Sequence, residues 1–364
     1  MKVETSNRIF GLDIMRSLAV IIVVLMHGDC LINKYFNTSI IYFLPDGVDL
    51  FFVLSGFLIG CIIIKEIDGN KKPIQKIILG FLIRRWFRTL PNYYLFLVLN
   101  IALIYFGLIK GVINKYLITY FFFFQNFQKP YDFLFWESWS LSVEEWFYLA
   151  FPFIVLLVFK ISGFNISVKR GIFFSILLFL ILPLSHRIIY ANSELDFDLF
   201  FRKLVVTRLD TIGFGLLGAF TYFYYFTYWR KFQNISFVLG ILLLLVLQWM
   251  DYSNHIYFHR TFYYSFVGIS ILLFLPKLES FKSENIPYKP VAFVSKISYS
   301  IYLIHVPLLQ ILSKFFTTTN KYQVAILYSI YWLLTILLSC VVYRFYEKPM
   351  MDIRDRIGLA GIGK

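Results

Sequence analysis

FGLDIMRSLAVIIVVLMHGDCL, residues 10–31, decides the class of fold. At about 1.5 Å of rise per residue this apolar run is long enough to cross a hydrocarbon core of about 30 Å. It follows Lys2 and Arg8, as the apolar core of a signal peptide would. Arg16 interrupts it, however, and Met26-His27-Gly28-Asp29-Cys30 is a poor small-residue cleavage site, so the stretch reads as a first transmembrane helix that stays attached.

Similar stretches recur to the end of the chain: Leu50 to Ile64, Leu90 to Leu108, Val143 to Phe159, Gly171 to Pro183, Leu209 to Phe226, Phe237 to Met250, Phe262 to Leu275, Ile297 to Leu312 and Gln323 to Tyr343. With the first, these make about ten expected spans and an all-α, polytopic membrane protein. An eleventh stretch, Tyr116 to Phe127, is short and bounded by Lys115 and Gln125, which suits a re-entrant or interfacial segment better than a span. Composition agrees: the 364 residues are 59% hydrophobic and only 15% charged, against roughly 25% charged in soluble domains. No internal repeat, linker or long hydrophilic stretch divides the chain, so residues 1–364 are expected to form a single transmembrane domain.

A net charge of +14 would suggest nucleic acid in a soluble protein, but in a membrane protein basic residues must first be sorted by side. With both termini cytoplasmic, the inside segments hold 23 Lys and Arg and the outside loops 11. That bias obeys the positive-inside rule and needs no nucleic-acid partner. Making Tyr116 to Phe127 a span shrinks it to 20 against 14. Cys30, Cys61 and Cys340 are far apart and lack the close pairing of a zinc or redox site, so no metal is expected.

Ionisable residues inside spans cost about 3 kcal/mol or more and are functional candidates by default. The first span carries Asp13, Arg16 and His27. Arg16 and His27, eleven residues apart, fall on nearly the same helix face and about 16 Å apart along the axis. Asp13 and Arg16 are also spaced for a structural ion pair. In Arg84-Arg85-Trp86-Phe87-Arg88, Arg85 and Arg88 share a face if the helix has already begun, and could grip a phosphate; the competing reading is a stop-transfer cluster on anionic lipid headgroups. Glu144 and Glu145 point about 100° apart, so one is expected to face the bundle interior, where it could orient His27. Asp49, Asp210 and His305 are further polar groups at or within spans, for which a structural hydrogen bond competes with a functional role.

Taken in order, the Arg16 and His27 pair, GVDLFFVLSGFL, the RxxR of Arg85 and Arg88, WSLSVEEWFY, ISYSIYLIH and the C-terminal YEKP resemble the acyltransferase-3 family of bacterial membrane O-acyltransferases. The six motifs run in register from Asp13 to Pro349. The resemblance implies that Arg16 and His27 are the essential pair of the first helix, that Arg85 and Arg88 (with Arg84 beside them) meet an acyl-CoA donor, and that Glu144 is the motif's acidic residue. It also implies acetyl-CoA as co-substrate and, as acceptor, a glycan or lipid-linked glycan such as an O-antigen, capsule or exopolysaccharide. The place of action would be the bacterial cytoplasmic membrane. Trp146 stands where glutamine is common, and no hydrolase-like segment follows the last span, which speaks against a two-domain peptidoglycan acetylator.

Acyl transfer to a hydroxyl needs a base and a means of steadying the tetrahedral oxyanion. His27 is the natural base, because an unperturbed imidazole titrates near pH 6.5. Arg16 lies too far along the helix to touch the same atom and is assigned to the donor path or to Asp13. The rival classes are a transporter or flippase for a glycan-lipid or organic anion, and a non-catalytic scaffold. The missing repeat and the arginines concentrated in one loop argue against the first, and the alignment of His27 with Arg16 against the second.

Overall fold

The computed structural model describes residues 9–69, 74–129, 134–163, 165–282 and 288–361. Among them there is no strand. The helices are α1 (Phe10–Ile32), α2 (Gly47–Gly69), α3 (Ile74–Tyr105), the short α4 (Leu117–Phe121), α5 (Ser138–Ile161), α6 (Val168–Tyr190) and α7 (Val205–Tyr224). They continue with short α8 (Phe226–Lys231), α9 (Gln233–Trp249), short α10 (Ile256–Thr261), α11 (Tyr263–Ser280), α12 (Tyr288–Phe315), α13 (Lys321–Val342) and α14 (Lys348–Gly361).

Each of the ten expected apolar stretches falls on a helix. Seven helices of the described residues are long and apolar enough to cross a membrane: α1, α2, α3, α5, α6, α12 and Lys321–Ile353, which begins with α13. The other three stretches lie on α7, α9 and α11, of 20, 17 and 18 residues. Tyr116 to Phe127 becomes the five-residue α4 and irregular backbone, too short to cross.

Helix ends differ from the hydropathy limits because caps and ion pairs extend the helices past their apolar cores. α2 starts at Gly47, where Asp46 Oδ1 accepts the Val48 N–H at 2.9 Å. α3 begins at Ile74, so Arg84, Arg85 and Arg88 lie within it. α6 and α7 take in Arg187 and Arg208, which the charge sorting placed in an external loop. Both are fully buried. Arg187 meets Asp210 through two hydrogen bonds of 2.9 and 2.6 Å and donates to Thr261 O at 2.8 Å and Ser265 Oγ at 2.7 Å. Arg208 pairs with Asp49 and lies 3.7 Å from the centre of the Tyr264 ring. Asp49 and Asp210 thus hold α2, α6, α7 and α11 together; of the two readings open for them, the structure supplies structural ion pairs.

The closest packing is between α2 and α7. A Cβ on Gly56 would collide with the carbonyl oxygen of Ile212, and one on Gly215 with that of Val53. Only glycine permits such backbone contact, which compensates for the weak hydrophobic drive between helices in lipid. Gly56→Leu is expected to abolish a monodisperse peak in detergent size-exclusion chromatography. Gly69→Ala, where an added Cβ meets nothing within 4 Å, should leave it unchanged. For orientation, a reporter active only in the cytoplasm should work after Gly69 and fail at Lys110; the opposite pattern would invert the bundle.

Candidate active site

Two cavities lie along α1. The inner one, toward the N-terminal end of α1, measures about 90 Å³ and is lined by Arg16, Ser55, Arg85, Arg88, Glu144 and Tyr148, among others. Arg85 and Arg88 sit one turn apart on the same face of α3, as their spacing requires. The Arg85 guanidinium lies 5.9 Å from the ring centres of both Phe81 and Tyr148. Arg84 points elsewhere and pairs with Glu66 at 2.8 Å; it does not line this cavity. Asp13 is buried and accepts a hydrogen bond from Ser295 Oγ at 2.7 Å.

The adjacent glutamates part as the helix period demands. Glu144 faces the cavity and accepts from Ser55 Oγ at 2.6 Å and from Tyr148 Oη. Glu145 turns toward α3 and accepts from Thr89 Oγ1 at 2.6 Å. The expectation that Glu144 orients His27 is therefore corrected. Glu144 lies one turn further into the bundle than Ser140, which is bonded to Tyr302, and its carboxylate belongs to the inner cavity.

The outer cavity, at the C-terminal half of α1, measures about 690 Å³. His27 lines it and is open to it, while His305 on α12 is fully buried behind. His27 Nδ1 and His305 Nε2 stand 2.9 Å apart, so one ring donates to the other. This leaves Nε2 as the ring nitrogen of His27 that is free of His305. Arg16 and His27 accordingly share the α12-facing side of α1 but serve different cavities.

Several residues of the outer cavity were not singled out from sequence. Arg202 donates to Asp46 Oδ2 at 2.6 Å and to Asp198 Oδ1 at 2.7 Å. Burial alone would raise the Asp46 pKa, but the Arg202 guanidinium outweighs it and holds the carboxylate below its ordinary range. Burial pushes Glu137, at the entrance to α5, up to about 8. At neutral pH that carboxyl is protonated, and the charges around the cavity, with Lys110, Lys203 and Lys314 at its edge, sum to positive. Tyr302 stands inside the quoted motif ISYSIYLIH and Glu137 two residues before WSLSVEEWFY, and that proximity was their only signal. Asp46 and Arg202, 156 residues apart, had none.

The walls of the two cavities have Val48 and Tyr302 in common. The two cavities are thus adjacent, with Arg85 and Arg88 on the one side of these residues and His27 on the other. Among the described residues no three His, Cys, Asp or Glu side chains come together as a metal site.

A family model described as "Acyltransferase domain" matches residues 9–344. The O-acetyltransferase OatA of Staphylococcus aureus strain NCTC 8325 is 27% identical over 369 residues, covering 93% of this chain and 57% of the relative. OatA of Staphylococcus aureus strain MRSA252 matches to the same extent. The chain therefore spans little more than half the length of these curated relatives. No solved structure matches it.

The inner cavity yields a test of its own. Arg88→Lys keeps the charge but loses the planar fork, so acetyl-CoA affinity should fall about tenfold in a binding titration while the protein still inserts. Unchanged affinity in both Arg85→Ala and Arg88→Ala would leave lipid anchoring as the role of these arginines.

Proposed function

The chain belongs to the acyltransferase-3 family, and from that premise we propose that it is a membrane O-acetyltransferase that moves an acetyl group from acetyl-CoA to a hydroxyl of a cell-surface glycan. The observation that carries this reading is the pair of cavities end to end along α1, one bearing the RxxR arginines and the other the His27–His305 pair. Coenzyme A is made in the cytoplasm and is rich in phosphate, which suits Arg85 and Arg88. The larger outer cavity suits a bulky acceptor arriving at the opposite face of the bacterial cytoplasmic membrane. Relatives named as O-acetyltransferases favour this reading over a transporter.

The chemistry follows from the histidine pair. For His27 Nε2 to accept a proton, Nδ1 must carry the ring hydrogen and donate it to His305 Nε2, which places the His305 proton on its own Nδ1. His27 then removes the acceptor hydroxyl proton as the oxygen attacks the thioester carbonyl. The tetrahedral intermediate collapses with loss of the coenzyme A thiolate, and the proton held by His27 is available to that sulfur or to solvent. His305 is a positioning residue: it fixes the tautomer and ring plane of His27, as the carboxylate does in a serine hydrolase triad.

His27→Gln should lower acetyl transfer by roughly 10² to 10⁴-fold while acetyl-CoA binding and membrane level stay at wild type. His305→Phe, which removes the orienting nitrogen, should lower transfer less and shift its pH profile. A His27→Gln protein that transfers at a near wild-type rate would place the base elsewhere.

A further inference from the structure

The partition between the cavities has its own chemistry. Val48 and Tyr302 are both buried, and each is fixed from the outer side. Val48 stands in the first turn of α2, its N–H donating to Asp46, which Arg202 holds at 2.6 Å. The Tyr302 hydroxyl is bonded to Ser140 Oγ at 2.6 Å and donates to the Glu137 carbonyl at 3.0 Å. Its ring packs edge-on against Phe51, with centres 6.4 Å apart, and lies 5.6 Å from the ring of His305.

We propose that Val48 and Tyr302 form a size filter for the acyl group, through which an acetyl group reaches His27 and longer acyl chains do not. The proposal rests on the donor entering from the Arg85 and Arg88 side. A thioester held there must bring its carbonyl past these two side chains to meet an acceptor oxygen activated by His27. The Tyr302 hydroxyl is tied to Ser140 and Glu137, and the Val48 backbone to Asp46, so the wall they form yields little to a bulkier chain, as packed interiors resist even one added methylene. The inner cavity of about 90 Å³ leaves little room for a longer chain to fold back on the donor side. The reacting end is therefore short, and selectivity for it resides in one aliphatic and one aromatic side chain, neither of which takes part in the proton transfer.

The test uses inside-out membrane vesicles from expressing cells, supplied with radiolabelled acetyl-, propionyl- or butyryl-CoA. The readout is alkali-labile acyl ester on polymer, together with donor binding to the purified protein. Val48→Ala is expected to raise butyryl transfer relative to acetyl by about tenfold or more, the range in which one or two methylenes are discriminated by an apolar pocket. Val48→Leu should move the ratio the other way, and Tyr302→Phe, which keeps the ring but frees it from Ser140 and Glu137, should relax it partly. All three should still bind acetyl-CoA, because the Arg85 and Arg88 contacts are intact. A butyryl to acetyl ratio that stays at the wild-type value in Val48→Ala and Tyr302→Phe overturns the filter. Equal loss of all three donors in variants that still bind acetyl-CoA overturns it too, since the positions would then serve the chemistry at large. Wild-type vesicles that bind donor but esterify nothing would instead refute the transferase reading, and the filter with it.

Discussion

Within a bilayer there is no water to satisfy a peptide group or a charge, so every polar group of the chain must find its partner in protein or face a cavity. Among the described residues the backbone meets that demand mainly with helices and with no strand. The charged side chains meet it in two ways, and the architecture follows from the division. Arg187 with Asp210 and Arg208 with Asp49 neutralise each other deep among α2, α6, α7 and α11. Removing one member of such a pair strands a buried charge at a cost of about 3–5 kcal/mol, so these contacts lock the relative positions of four helices whatever their net worth.

Against that scaffold, the direct backbone contact of α2 with α7 sets where the outer end of α2 stands, and with it Asp46 and Val48. α1, α3, α5 and α12 complete the walls of the two cavities. The polar residues along them, Arg16, Arg85, Arg88, Glu144 and His27, border open space on at least one side. In a serine hydrolase triad a carboxylate meets the Nδ1 of the reactive histidine; here the group 2.9 Å from His27 Nδ1 is the imidazole of His305. Glu144 is spent on Ser55 and Tyr148 at the other cavity, which separates the acidic motif from the histidine by the thickness of the partition.

The sequence by itself determined the features that depend on neighbours along the chain. Apolar length located the ten helical stretches, because solvation of a segment in lipid is a local property. Helix period predicted that Arg85 and Arg88 share a face, that Arg16 and His27 lie along one side of α1, and that Glu144 and Glu145 must part. Tertiary structure alone decided who meets whom: His27 and His305 are 278 residues apart, Arg208 and Asp49 159, Arg202 and Asp46 156. It also assigned Glu144 to the inner cavity, turned Arg84 away to Glu66, and placed Val48 and Tyr302 in the walls of both cavities. The reason is physical: periodicity fixes the direction of a side chain about its own helix axis, whereas the depth and angle at which two helices meet depend on close packing between surfaces, such as that of Gly56 on Gly215, which no single stretch of sequence contains.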